Sequence, residues 1–276
     1  MNALEKFLYA LQAPMTTPQP YGLWHITCML IVAALTVFLV LRFRDTDDKT
    51  LRRILLIAWV AMVVSEIYKQ VIFAFDCDGL TTAWSYAWYA FPFQFCSTPL
   101  YALPFVIFLK DGPVRDAVIA FLSTFSLFAG LAVMLYPGDV FISYIGINVQ
   151  TMLHHGLQVA LGIYLAAYCR RRMNRRKFLS GLAVFAAFVA VAMTLNIAMH
   201  HIHLAAGIDA TFNMFYISPY HNCTLPVLSV IDPLLPYPVF LMVYLLGFAL
   251  VSALVYGAEK GVIALIDRHA KHHEAH

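Results

Sequence analysis

Charge is what this sequence has least of. Asp, Glu, Lys and Arg make up 12% of its 276 residues, against 62% hydrophobic. With a mean hydropathy of +0.75, that excludes an ordinary soluble domain, in which about a quarter of residues are charged. The five cysteines show no zinc-type spacing, so no thiolate metal centre organises the fold. No internal repeat is visible, which weighs against a transporter built from inverted halves. The first 21 residues lack a basic start leading directly into an apolar core, and the first apolar run ends on Arg42 and Arg44. That run reads as an uncleaved helix rather than a signal peptide.

What the chain does have is apolar runs of about 20 residues, each enough to cross a hydrocarbon core about 30 Å thick. Backbone amides in lipid must be satisfied within their own segment, so these runs are expected to be helices. Seven are predicted, at about 22–41, 54–75, 90–109, 116–136, 147–169, 178–200 and 234–258. The expected fold is therefore all-α, a single polytopic membrane domain over 1–276. The stretch 201–233, with Pro219, Pro226 and Pro233, can fold back as a lid over the bundle's outer mouth.

The positions of the charges give the topology. Arg42, Arg44, Lys49, Arg52 and Arg53 lie between segments 1 and 2, and a second run, Arg170 to Lys177, between segments 5 and 6. Lys110 and Arg115 join segments 3 and 4, whereas the three alternate loops carry no Lys or Arg. The positive-inside rule puts the N-terminus outside and the C-terminus in the cytoplasm. Trp84, Tyr86, Trp88 and Tyr89 mark the outer interface. Cys77 and Cys223 both fall in outside loops, either as a disulfide in an oxidising compartment or as two free thiols. The His-rich tail (His269, His272, His273, His276) reads as a solvated end. No nucleic-acid partner, cofactor or resident metal is expected; the expected partner is the lipid bilayer.

Polar residues in the membrane are costly enough to suggest function. At about 1.5 Å per residue, Cys96 lies roughly 6–12 Å below the outer interface, His154 and His155 about 10–12 Å, and Glu66 about 13 Å. His25, Asn196 and His200 sit nearer the outer surface. A polar chamber open to the outer half of the membrane explains this distribution. Glu66 and Lys69, three apart on one helix, are placed to pair. Gln150, His154 and Gln158 form one stripe of segment 5, with Thr151 and His155 beside it. Cys96 is expected to be held near a helix start by Pro92, with Pro99 leaving the Phe95 carbonyl free and Pro104 doing the same for Leu100. A thiol and an imidazole at one depth are the parts of a nucleophile–base dyad. The alternative cluster, His200-His201-Ile202-His203 with His221, has the composition of an outer zinc site but lacks an acidic or cysteine ligand at fixed helical spacing.

Several stretches resemble the YwaF-like family of bacterial seven-helix membrane proteins. They are Gly22-Leu23-Trp24-His25, Phe91-Pro92-Phe93-Gln94-Phe95-Cys96-Ser97, His155-Gly156, Asn213-Met214-Phe215 and Pro233-Leu234-Leu235-Pro236-Tyr237, in the family's order across nearly the whole chain. Asp232 and Leu235 stand where the last motif has glycine and tryptophan, and Gln94 where histidine is usual. The resemblance implies kinship with animal acyltransferases that use a cysteine and a histidine to place fatty acyl groups on ether phospholipids. Those positions correspond to Cys96 and His155, with His154 a substitute. On that reading the chain is a phospholipid-directed acyltransferase or hydrolase of the bacterial plasma membrane. Glu66, Lys69, Gln94, Gln158, Asn196, Asn213 and His25 would support the site. The competing readings are a small-molecule-binding or transport protein using the same chamber, and a zinc-dependent lipid hydrolase.

Overall fold

The computed structural model describes residues 2–77 and 79–274, with side chains described as far as 264. The chain begins with a short helix, α1 (Ala3–Leu11), then α2 (Leu23–Phe43) and α3 (Asp48–Ile72). A small antiparallel hairpin follows, β1 (Phe75–Cys77) with β2 (Thr82–Trp84), which the all-α expectation did not include. After two single 3-10 turns, Trp88–Ala90 and Phe95–Ser97, come α4 (Pro99–Phe108), α5 (Pro113–Phe121) and α6 (Leu127–Leu135). Then follow α7 (Ile145–Tyr168), α8 (Arg175–Ala206), the single turn α9 (Leu228–Ile231) and α10 (Tyr237–Glu274).

Among the described residues, five stretches are long and apolar enough to cross a membrane: α2, α3, the run Pro113–Leu135, α8, and α10 as far as Ala264. The run Pro113–Leu135 passes from α5 to α6 through one π turn, Leu122–Ser126. α7 is as long, at 24 residues, but its polar face lowers its hydropathy. It is nevertheless the centre of the bundle: sixteen of its residues are buried, and it packs on α2, α3 and α6. α2 buries only His25 and Leu39. An apolar helix with an exposed surface is what lipid selects. The two helices approach closely because position 156 is glycine, where a Cβ would lie 2.4 Å from Val32 Cγ2. Elsewhere an aromatic core ties α4 through α10 together, with Phe125–Phe185 ring centres 5.0 Å apart and Tyr244–Phe248 4.3 Å.

Three expectations are corrected. The segment at 90–109 is not one helix. Phe91, ahead of Pro92, is extended (ψ 137), as the residue before proline tends to be, and Gln94 is extended too. The proline filling the first helical turn is Pro99, not Pro92. Nor are the two carbonyls freed by proline left alone. Phe95 O accepts the Thr98 hydroxyl at 2.8 Å and Thr98 N at 3.3 Å, while Leu100 O accepts the Trp59 indole N–H at 2.8 Å. The expected lid is also different. Residues 201–206 continue α8 to Gly207, whose φ of +65 ends the helix in the left-handed conformation. Residues 212–218 then turn into the bundle as a plug, with Phe212, Met214, Phe215 and Ile217 almost fully buried. In the tail, His269, His272 and His273 fall beyond the described side chains, and His276 lies outside the described residues.

Candidate functional site

Cys96 sits in the 3-10 turn Phe95–Ser97, directly before α4, and is half-buried. Across from it, α7 contributes His154, whose Nε2 lies 3.0 Å from the Cys96 carbonyl oxygen. A carbonyl can only accept, so Nε2 is the nitrogen that carries hydrogen here. Nδ1 is then a bare acceptor, and it is buried without a hydrogen-bond partner. His155 repeats the pattern in the other tautomer: Nδ1 donates to Thr151 O at 2.7 Å, leaving Nε2 bare and buried. The two rings lie 5.5 Å apart. Gln158 donates to Ser126 Oγ at 3.0 Å, and its oxygen is unpartnered as well. Among the described residues no hydrogen bond joins the Cys96 thiol to either imidazole. The structure thus brings Cys96 to His154 through the backbone, not through sulfur.

The expected ion pair forms on α3, with Lys69 Nζ 2.8 Å from Glu66 Oε1. Glu66 also accepts from Gln70 at 2.7 Å and from Gln150 of α7 at 3.4 Å. Gln70 and Tyr86 were not anticipated from the sequence. Gln70 bridges Glu66 to the Ala90 carbonyl at 2.8 Å and accepts the Tyr86 hydroxyl at 2.6 Å. Its signal was available, because residue 70 follows residue 66 by one helical turn on the same face. A groove of about 680 Å³ opens beside this set between α3 and α4, with Trp59, Ile67, Leu100 and Tyr101 among its walls and Glu66, Gln70 and Tyr86 at its polar part.

The remaining expected residues are hydrogen-bonded within the protein. Gln94 clamps the plug, donating to Asn213 O at 3.0 Å and accepting from Phe215 N at 2.9 Å. Asn196 does the same at Met214, at 3.0 Å to O and 2.7 Å from N. Asn213 closes the plug on itself through Ser218 N at 2.8 Å and Asn222 O at 3.2 Å. These anchors hold Phe215 and Tyr216 at positive φ, a conformation that bulky residues adopt only when their surroundings impose it. Tyr237, in the last of the motifs, donates to Ile217 O at 2.7 Å. His25 is spent at the start of α2, accepting from Tyr21 N and donating to Met134 O, both at 2.9 Å. Gln94, Asn196, Asn213 and His25 therefore leave no side-chain polar atom free for a substrate.

The outer histidines do not form a metal centre. His200 stacks on Tyr220 with ring centres 3.5 Å apart, and His203 packs edge-on against Trp88 at 4.8 Å. Burial, with His200 and His203 nearby, holds His221 below the ordinary imidazole range. No group of three or more His, Cys, Asp or Glu side chains able to hold a metal ion exists among the described residues. Cys77 and Cys223 are free thiols.

No curated protein and no solved structure matches this chain. A central polar helix, a broken segment beside it, a buried plug and five helices fit to cross a bilayer describe a multi-span integral membrane protein. A family model agrees over residues 20–256, and the chain belongs to the TMEM164 family.

Proposed function

We propose that this protein is a lipid-directed acyl-transfer enzyme, with Cys96 the nucleophile and His155 its base. The observation that carries the reading is the pair of bare, buried imidazole nitrogens on α7 beside the Cys96 turn. A buried acceptor without a donor costs about 1–3 kcal/mol, and a site that moves protons is where such a cost is retained. His155 Nε2 takes the thiol proton, and the thiolate attacks the carbonyl carbon of a phospholipid ester. The ester C–O bond breaks, the imidazolium returns its proton to the departing lysolipid oxygen, and the acyl group stays on sulfur as a thioester. A second lysolipid hydroxyl gives its proton to the same nitrogen and attacks the thioester, restoring the thiol. His154 positions the Cys96 turn through its carbonyl. The donor lipid enters sideways along the groove of about 680 Å³, past Glu66. The YwaF-like resemblance supports the same assignment. On this reading α7 and the broken segment holding α4 complete a seven-span bundle, N-terminus outside, in a bacterial plasma membrane.

The test is transfer from a labelled phospholipid to a lysolipid by the purified protein. Cys96→Ala is expected to reduce transfer to the uncatalysed level while leaving the melting temperature within a few degrees of wild type. Full retained transfer would sink the proposal. The lack of a thiol–imidazole hydrogen bond favours a second reading, a small-molecule-binding or transport protein using the same chamber. A fluorophosphonate or activated lipid-ester probe separates the two: labelling at Cys96 supports the enzyme, and no labelling supports the binder.

A further inference from the structure

We propose a second lipid site, at the end of the bundle that carries the basic loops, which binds the headgroup of an anionic glycerophospholipid. The charges at the start of α3 are unevenly matched. Asp48 is held by Arg52 at 2.6 Å and by Arg115, and Arg115 also pairs with Asp111. Two carboxylates and two guanidiniums thereby compensate one another. Arg52 is committed further, reaching the Ile107 carbonyl and, at 2.7 Å, the Leu109 carbonyl at the end of α4. Lys49 and Arg53 make no salt bridge among the described residues, although the Lys49 charge lies near enough to Asp47 to help lower its carboxyl's pKa, and both line a pocket of about 340 Å³ with Asp48 and Arg52.

The far wall of that pocket is apolar, formed by Ile107, Phe108 and Leu56. Phe108 is 66% exposed and Leu56, on the membrane-crossing helix α3, 37%, so both side chains are open to acyl tails. A pocket with two cations outside the salt-bridge network on one side and apolar walls on the other matches an amphiphile whose head is an anion. Basic pockets between membrane helices recognise phosphate headgroups in this way. Soluble phosphate would satisfy the cations but leave the apolar wall unused, so the occupant is the lipid. The site is separate from Cys96 and does not depend on the catalytic reading.

The full-length protein in a neutral detergent is titrated with phosphatidylglycerol, phosphatidylcholine or inorganic phosphate, following bound lipid by native mass spectrometry and melting temperature. Phosphatidylglycerol is expected to bind saturably and raise the melting temperature, with phosphatidylcholine and phosphate doing neither. At about fivefold per cation near a membrane surface, Lys49→Gln with Arg53→Gln should weaken binding roughly 25-fold. Leu56→Trp, which keeps every charge and fills the apolar wall, should weaken it also, and decides the matter if the double variant fails to fold. Equal binding of phosphatidylcholine, equal binding of phosphate alone, or undiminished binding in a folded variant overturns the assignment.

Discussion

Two of the sets of polar side chains buried in this bundle differ in whether they are satisfied. Gln94 and Asn196 each use both ends of the amide on backbone groups of the plug, and Asn213, within it, uses both on the Ser218 and Asn222 backbone. On α7, within one turn, His154, His155 and Gln158 each use one end and leave the other bare. Buried polar groups are hydrogen-bonded as a rule, and each exception calls for an explanation. The amide set explains itself as structure, because it holds a segment that no local preference would form. The α7 set has no such explanation: its bonds to Cys96 O, Thr151 O and Ser126 Oγ fix the rings and the amide, and three acceptors then point at nothing in the protein. The contrast separates residues that hold the fold from residues that await a donor.

The largest expected effect tests the second class. Replacing His155 by Ala should lower lipid acyl transfer by about 10²–10⁴-fold, the usual contribution of a general base, which is about 3–5 kcal/mol of barrier. Stability should hardly fall, because the change removes an unpaired buried acceptor together with a local bond to Thr151. Transfer kinetics and a thermal melt on the same preparation make the measurement. A variant that unfolds yet loses no activity per folded molecule would put His155 with the amides.

Asn196→Leu is the converse, with the next largest effect. It keeps the branched side-chain shape but strips Met214 of two buried hydrogen bonds, leaving its N–H unpaired while its C=O keeps Ile217 N at 3.4 Å. The expected loss is about 1–3 kcal/mol of stability, the cost of one orphaned group, with activity per folded molecule close to wild type. If melting is unchanged and transfer collapses, Asn196 belongs to the chemistry and the division drawn here fails.

How far each set could be read from sequence follows the same division. Long apolar runs place α2 and the start of α10 to within about three residues and the ends of α3 and α8 to within about six, since lipid leaves the backbone only a helix to form. α7 was legible too, and the residues that lower its hydropathy are the ones that mark it as a site. The break around Cys96 is not legible in the apolar run, because a proline is also compatible with the first turn or a kink of one continuous helix. Together Pro92 and Pro99 break it into an extended stretch, a 3-10 turn and a short helix. The plug was read as a lid because nothing local announces it. Positive φ at Phe215 and Tyr216 is imposed by Gln94 from over a hundred residues away and by Asn196 from α8. Amides that bond backbone leave no periodicity to detect, and composition alone does not distinguish a clamp from a ligand.

The smallest expected effect probes the point where the two classes meet. Thr98 is 1% exposed, and its hydroxyl donates to the Phe95 carbonyl that Pro99 cannot serve. That bond helps close the turn carrying Cys96. Thr98→Val keeps the shape and removes the donor, while Thr98 N continues to reach the same oxygen at 3.3 Å. The carbonyl is therefore not abandoned, and the loss should be about 0.5–1.5 kcal/mol. Transfer per folded molecule should fall by only a few-fold, since His154 still fixes the turn from α7 through the Cys96 carbonyl. A larger fall in transfer than in stability would mean that Thr98, a residue satisfied at every atom, sets the thiol's aim. Full satisfaction would then no longer identify a side chain as purely structural.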